Sequence, residues 1–269
     1  MFPLVGPDYP KSGQELAQRI QSGLTELLTF PPGRNVVVIQ GGSYPAFENV
    51  KVDLTGASIN GSVPPQPPKP TGQRDPGPTT AELHIVGRPI RYQGRGINLE
   101  LNATGAKFDL SHDETGQALL VAREAETGNF ALDIAAADLQ FILKTAATEA
   151  ARQKGITIQD LDVKLISQGP RMVDVEIRVK AKKLMMTGTF AVRGRVEVDE
   201  ALVAKISNLS CDGQGIFGNM AAGMIQVALR AQEGRRFPLT SFSLGGLALC
   251  DLQISTTDGL RITAEVGKK

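Results

Sequence analysis

Residues 173–182 alternate without a break. Val173, Val175, Ile177, Val179 and Ala181 share one face, and Asp174, Glu176, Arg178, Lys180 and Lys182 share the other. A period of two is the signature of a strand in a sheet with one dry and one wet face. The same pattern recurs at 97–103, where Ile97, Leu99, Leu101 and Ala103 alternate with Asn98, Glu100 and Asn102, and again at 187–198. Shorter strands are predicted at 36–39, 50–59, 83–86, 90–92, 107–110, 118–123, 130–134, 156–163, 203–209, 242–249, 252–255 and 260–266. The Thr257-Asp-Gly259 triplet is a hairpin turn signal. Three segments switch to helical spacing. The first carries Leu16, Ile20, Leu24, Leu27 and Leu28, with Ser12 as N-cap and Glu15 completing a capping box, and ends at Pro31-Pro32-Gly33. The second, 138–153, places Leu139, Ile142, Leu143, Ala146, Ala147 and Ala150 on one side, and Gly155 ends it. The third, 217–232, carries Phe217, Met220, Ala221, Met224, Ile225, Val227, Ala228 and Leu229, which leaves almost no polar face. Such a helix is expected to be covered on several sides, by sheet, by ligand or by a partner chain.

Residues 64–78 break the pattern. Seven of the fifteen are proline, so 63–80 is expected to be a mobile, Pro-rich insertion. Pro64-Pro-Gln-Pro-Pro-Lys69 also fits a PxxPxK ligand pattern, a docking alternative to a plain loop.

Composition narrows the function classes. The chain has 269 residues and a net charge of +1, with no tryptophan. It lacks the concentrated basic surface and the stacking platform of a nucleic-acid binder. Cys211 and Cys250 are too few for a disulfide framework; they read either as two buried thiols or as one bridge. No run approaches a membrane span. The first residues, Met-Phe-Pro-Leu-Val-Gly-Pro-Asp, have neither a basic flank nor an apolar core of a leader. The compartment is therefore the cytoplasm, or the envelope if a leader was removed.

The candidate chemistry is thin. Gly213-Gln-Gly215-Ile-Phe-Gly218 matches a dinucleotide fingerprint and opens a helix, but that reading needs a βαβ unit. The segment that follows reads as antiparallel hairpins, so the glycines are expected to bend a strand into a helix. His84 and His112 lack metal-spaced partners and a nucleophile elbow. No enzyme, metal or cofactor is expected. Arg171, Arg178, Lys180, Lys182, Lys183, Arg193 and Arg195 form either a solvated face with cross-strand ion pairs or a patch for anionic headgroups.

The order of motifs resembles a known family. Asn129 is followed by Phe-Ala-Leu-Asp-Ile-Ala-Ala-Ala-Asp-Leu-Gln-Phe-Ile-Leu. Gly188 opens Thr-Phe-Ala-Val-Arg-Gly-Arg-Val-Glu-Val. The chain closes with Phe237-Pro-Leu and Leu249-Cys-Asp-Leu-Gln-Ile-Ser-Thr-Thr-Asp-Gly-Leu-Arg-Ile. Upstream stand Gly42-Ser-Tyr-Pro-Ala-Phe47 and Val50-Lys-Val-Asp-Leu. Together they resemble the bacterial LmeA-like phospholipid-binding family, within the tubular lipid-binding group that includes the bactericidal/permeability-increasing protein. The resemblance implies an α+β fold with a long, highly curved antiparallel sheet wrapped around helices, as a single domain over 1–269. It implies an apolar groove for a phospholipid or other long-chain ligand, held or transferred without catalysis. The lining is expected from Leu139, Ile142, Leu143, Met185, Met186, Phe217, Met220, Met224 and Ile225. A transient contact with an anionic membrane surface fits this reading, and a homodimer is compatible with it. The rival reading is a protein-interaction or structural module with a self-filled core, which would use the Pro-rich loop or a sheet edge.

Overall fold

The structure, a computed structural model, describes residues 1–61, 68–152, 155–183, 186–239 and 247–267; the side chain of Phe217 is outside the described set. The chain groups into two compact units. One is Met1–Asp133 with Thr240–Asp251 and Thr263–Lys269, and the other is Ile134–Leu239 with Leu252–Ile262. One domain was expected over 1–269; contacts within the chain form these two.

The first unit opens with β1 (Phe2–Pro3), α1 (Gly13–Leu27), β2 (Leu28–Thr29), β3 (Val37–Ser43), β4 (Ala46–Asp53) and β5 (Ser58–Ile59). Then come β6 (Thr71–Tyr92), β7 (Arg95–His112), β8 (Ala118–Glu124) and β9 (Thr127–Ala135). The long β6–β7 hairpin turns through Gln93 and Gly94, both at positive φ (50° and 80°), as a two-residue turn matched to strand twist requires. β4 pairs with β6 in parallel, so this sheet is mixed. α1 is capped as predicted: the Ser12 side chain accepts from the Glu15 N–H at 3.1 Å. The Glu15 carboxylate closes the box one residue early, accepting from the Lys11 N–H at 2.8 Å. Leu16, Ile20 and Leu24 are buried in one cluster with Val36, Val52, Leu83, Leu101 and Phe108.

The expected mobile insertion is corrected from Thr71 onward. Residues 62–67 lie outside the described set, but 71–80 form the first part of β6. Asp75 pairs with Leu110, Pro76 with Asp109 and Thr79 with Lys107, and Pro78 is fully buried. The register shifts between Thr71 and Asp75 and again between Pro76 and Thr79. Proline donates no ladder hydrogen bond, and such irregularities are where a strand tolerates it.

The second unit holds α2 (Ala136–Arg152), β10 (Thr157–Gly169), β11 (Met172–Lys183), β12 (Met186–Val198), β13 (Val203–Gln214), α3 (Gly215–Arg230) and β14 (Arg236–Pro238). β15 (Leu249–Ser255) and β16 (Gly259–Gly267) follow, neighbours joined through the predicted Thr257-Asp-Gly259 turn. The five strands β10 to β14 lie side by side in chain order, all antiparallel. The sheets are neither strongly curled nor closed, which corrects the curved sheet wrapped around helices. Among the described residues no helix is long and apolar enough to cross a membrane. Cys211 and Cys250 are free thiols.

Two helix glycines separate propensity from packing. A Cβ on Gly23 would meet the Pro3 carbonyl oxygen at 2.2 Å, whereas one on Gly223 would meet nothing within 4 Å. Gly23→Ala is expected to lose about 1–3 kcal/mol by overpacking. Gly223→Ala is expected to gain about 0.5–1 kcal/mol from helix propensity. Urea denaturation checks both, and a stabilised Gly23→Ala would refute the close approach of α1 to β1.

Candidate functional site

The register of the second sheet sorts its residues into rows. Leu161, Val179, Phe190 and Gly213 are paired in series across β10 to β13, and Val163, Ile177, Val192 and Cys211 form the next row. Leu165, Val175 and Gly194 follow. These rows make one apolar face. Both helices lie on it. Leu143 and Ala147 of α2 pack against Leu161, Val179 and Ala181, and Gln140 donates to the Leu161 carbonyl at 3.2 Å. α3 approaches on the other side. A Cβ on Gly213 would meet the Gly218 oxygen at 2.1 Å, and one on Gly218 would meet the Thr189 oxygen at 2.4 Å. The glycine-rich segment therefore serves close strand–helix contact, as the bend reading expects. With β12 and β13 antiparallel, no βαβ unit surrounds it.

α2 packs over β10 and β11, and α3 approaches β12 and β13. The strip between them is Val163, Ile177 and Val192 with Leu165 and Val175, all half-buried. α2 buries no residue fully; Leu139, Ile142 and Leu143 are half-buried along its stripe. Ile225 of α3 is half-buried too. The remaining expected lining residues lie elsewhere. Met220 (50% exposed) and Met224 (72%) occupy the outer face of α3, and Met186 is exposed at the start of β12. Within the chain the sheet covers one side of α3, and its outer side is open to a ligand or partner of the kind expected. Met185 and the Phe217 side chain fall outside the described residues. The strip on β11 and β12 was not singled out as lining, although the alternation at 173–182 carries its signal.

The opposite face is polar and internally neutralised. Arg195 holds Asp174 through two hydrogen bonds, at 2.6 and 3.0 Å. Glu176 bridges Arg178 and Arg193, and Arg193 also reaches Asp212. These are the cross-strand ion pairs of the solvated-face reading.

The first unit carries a polar hollow of about 440 Å3 lined by Lys51, Glu82, His84, Asn102 and Asn129 among others. Asn102 Nδ2 donates to Glu100 at 3.1 Å and to Asn129 at 3.2 Å. Its Oδ1 therefore faces His84 Nδ1, which must carry the proton. Asn49 donates to Glu82 and Thr104 pairs with Thr127. The polar groups satisfy one another as a sheet-surface ladder. His112 stacks on Tyr9, with ring centroids 4.9 Å apart. Its Nε2 meets the Pro7 carbonyl at 2.8 Å, which ties the N-terminal segment to β7. Among the described residues no group of three or more His, Cys, Asp or Glu could hold a metal ion. No family model, curated protein or solved structure matches the chain.

The ion-pair face sets an acid limit. The Arg195 hydrogen bond holds the Asp174 carboxyl below its ordinary range. Arg193 and then Arg178 do the same for Glu176, and the Lys144 hydrogen bond does so for Asp160. A carboxylate depressed on folding adds stability above its unfolded pKa and loses it as pH falls through the folded value. Calorimetric melting is therefore expected to hold from neutral pH down to about 4, the ordinary carboxylate range, and to fall below it. Asp174→Asn should weaken that fall; an unchanged acid profile would show that the pair is not formed.

Proposed function

We propose that the second unit binds a phospholipid or another long-chain apolar ligand, without catalysis, on the apolar sheet face between α2 and α3. One observation carries the reading. An amphipathic helix of 17 residues lies on an apolar sheet and buries none of its residues fully. Protein interiors are close-packed, so a half-buried strip of Val163, Ile177 and Val192 beside it is surface available to an occupant. Each methylene taken from water there contributes roughly 0.8 kcal/mol. The floor is rigid sheet and the walls are separate helices, so an alkyl chain fits by its length rather than by a fixed shape. The motif order similar to the LmeA-like family supports the same ligand class. The polar hollow of the first unit supports it less, because its side chains already serve as one another's partners.

The test uses the whole chain and a fluorescent fatty acid. The wild-type protein is expected to bind the probe with saturation, and native mass spectrometry of protein from cells should show bound lipid. Ile177→Trp fills the strip from its floor and should weaken probe binding about tenfold or more, as loss of one or two methylene contacts predicts, while melting shifts little. In a closed core the same change would overpack and cost about 1–3 kcal/mol. A wild-type chain that neither binds the probe nor carries lipid would overturn the proposal and favour the self-filled interaction module.

A further inference from the structure

α3 reverses the usual size rule for a packed helix. Its inward positions are small or half-buried: Gly218 and Ala222 are buried, with Ala221 and Ile225 beside them. Beside exposed Asn219, Gly223 and Ala228, four of its outward positions are large and apolar. Ile216 is 87% exposed, Met220 50%, Met224 72% and Val227 69%. These four recur at helical spacing, on one stripe about 16 Å long. Packing within the unit accounts for the small residues, since Gly218 lies against Thr189. It does not account for the large ones, which touch solvent. Contiguous exposed apolar surface marks a contact site.

The charges around the stripe identify the contact. From Gly215 to Leu229 the helix carries no charged side chain. Cations stand at both ends. Gly218 sits against Thr189, and the β11–β12 ladder runs from there to Lys183–Met186, where Lys183, on the same side of β11 as Ala181, is exposed. At the other end are Arg230, Arg235 and Arg236, all exposed. The nearby carboxylates are engaged: Asp212 pairs with Arg193, and Glu233 accepts from the Asn208 and Leu209 N–H groups at 2.9 and 2.8 Å.

We infer that the outer face of α3 docks on an anionic lipid bilayer. An apolar stripe lying in the interface, with cations at its ends to meet headgroups, is the pattern of an interfacial helix. A second copy of the chain fits poorly. Side by side in parallel, cations meet cations at each end; antiparallel, the lysine end of one helix meets the arginine end of the other, and both ends still repel. Methionine suits the fluid surface of a bilayer better than a fixed protein pocket, and the described outer face offers no tyrosine or tryptophan anchor of the kind that dominates protein interfaces. The inference goes beyond the acyl-binding reading and stands without it, because it uses the opposite face of α3.

The experiment is co-sedimentation of the full chain with vesicles of phosphatidylcholine alone and of equal parts phosphatidylcholine and phosphatidylglycerol, at low and high salt. Binding is expected to the anionic vesicles, to fall at high salt, and to be weak on neutral ones. Met220→Asp with Met224→Asp should reduce the vesicle-bound fraction about tenfold and leave melting unchanged, because both side chains are exposed. Arg230→Glu with Arg236→Glu should remove the preference for anionic vesicles. The fatty-acid probe assay on the same variants separates the two readings. Lost vesicle binding with intact probe uptake assigns the stripe to membrane contact; intact vesicle binding without probe uptake overturns only the acyl site. Absent wild-type vesicle binding, equal binding to both vesicle types, or a self-associating chain made monomeric by the Met220 and Met224 changes would overturn the inference.

Discussion

The apolar face of the second sheet is the constraint from which the rest of that unit follows. Alternation along β11 places Val173, Val175, Ile177, Val179 and Ala181 on one side, and the unbroken β11–β12 register keeps them there. A slip by one residue would move the whole set to the wet face and bring Asp174, Glu176 and Arg178 onto the dry one. The face must then be covered, and α2 and α3 both lie on it. α2 sits over the β10 side, where Leu143 and Ala147 meet Leu161 and Val179. α3 sits over β12 and β13 because Gly213 and Gly218 let the backbones touch. Two helices placed at the flanks leave the β11 strip between them half-buried. The proposed ligand site is a consequence of that spacing, not of any single residue.

The same helix settles an edge problem. Beyond its short pairing with β14, the outer side of β13 would present open backbone groups, a liability for pairing with another chain. Side chains from α3 and the turn after it take that role. Gln226 accepts from the Cys211 N–H at 2.7 Å, and Glu233 accepts from Asn208 and Leu209. The first unit closes differently: α1 inserts Leu16, Ile20 and Leu24 into a cluster that continues through both long strands of the β6–β7 hairpin. One unit is thus filled by its own side chains, and the other is roofed by two helices on one sheet face.

Much of this was legible in the chain. The alternating strands, the Ser12 cap, the hairpin turn at Thr257-Asp-Gly259 and all three helices follow from local pattern, because those are local preferences. The misreadings were of tertiary origin. Proline content suggested a mobile insertion over 63–80, but Pro76 and Pro78 sit where the ladder is already irregular and Pro78 is buried. Sheet curvature depends on bulges and on what packs beneath, neither of which periodicity reports. The placement of Met220 and Met224 was hidden for a related reason. α3 is apolar nearly all round, so hydropathy cannot tell its inner face from its outer one. Residue size separates them only in part: Gly218 and Ala222 mark the close approach and Ile216, Met220, Met224 and Val227 the open side, but Gly223 and Ala228 are exposed too.

Charge explains why the two faces of the second sheet do different work. From sequence the arginines of the hairpin region read either as partners in cross-strand ion pairs on a solvated face or as a patch for anionic headgroups. Paired across strands, Arg195 with Asp174 and Arg193 with Glu176 and Asp212, they cancel within a few ångströms and project little field beyond a Debye length. Exposed cations stand at the two ends of α3, Lys183 at one and Arg230, Arg235 and Arg236 at the other. A weak field concentrated at the two ends of an apolar stripe attracts and orients a flat anionic surface without demanding a specific partner group. The ion pairs on the sheet thus weaken the basic field of that face, and the proposed bilayer contact rests on α3, which carries the exposed apolar stripe.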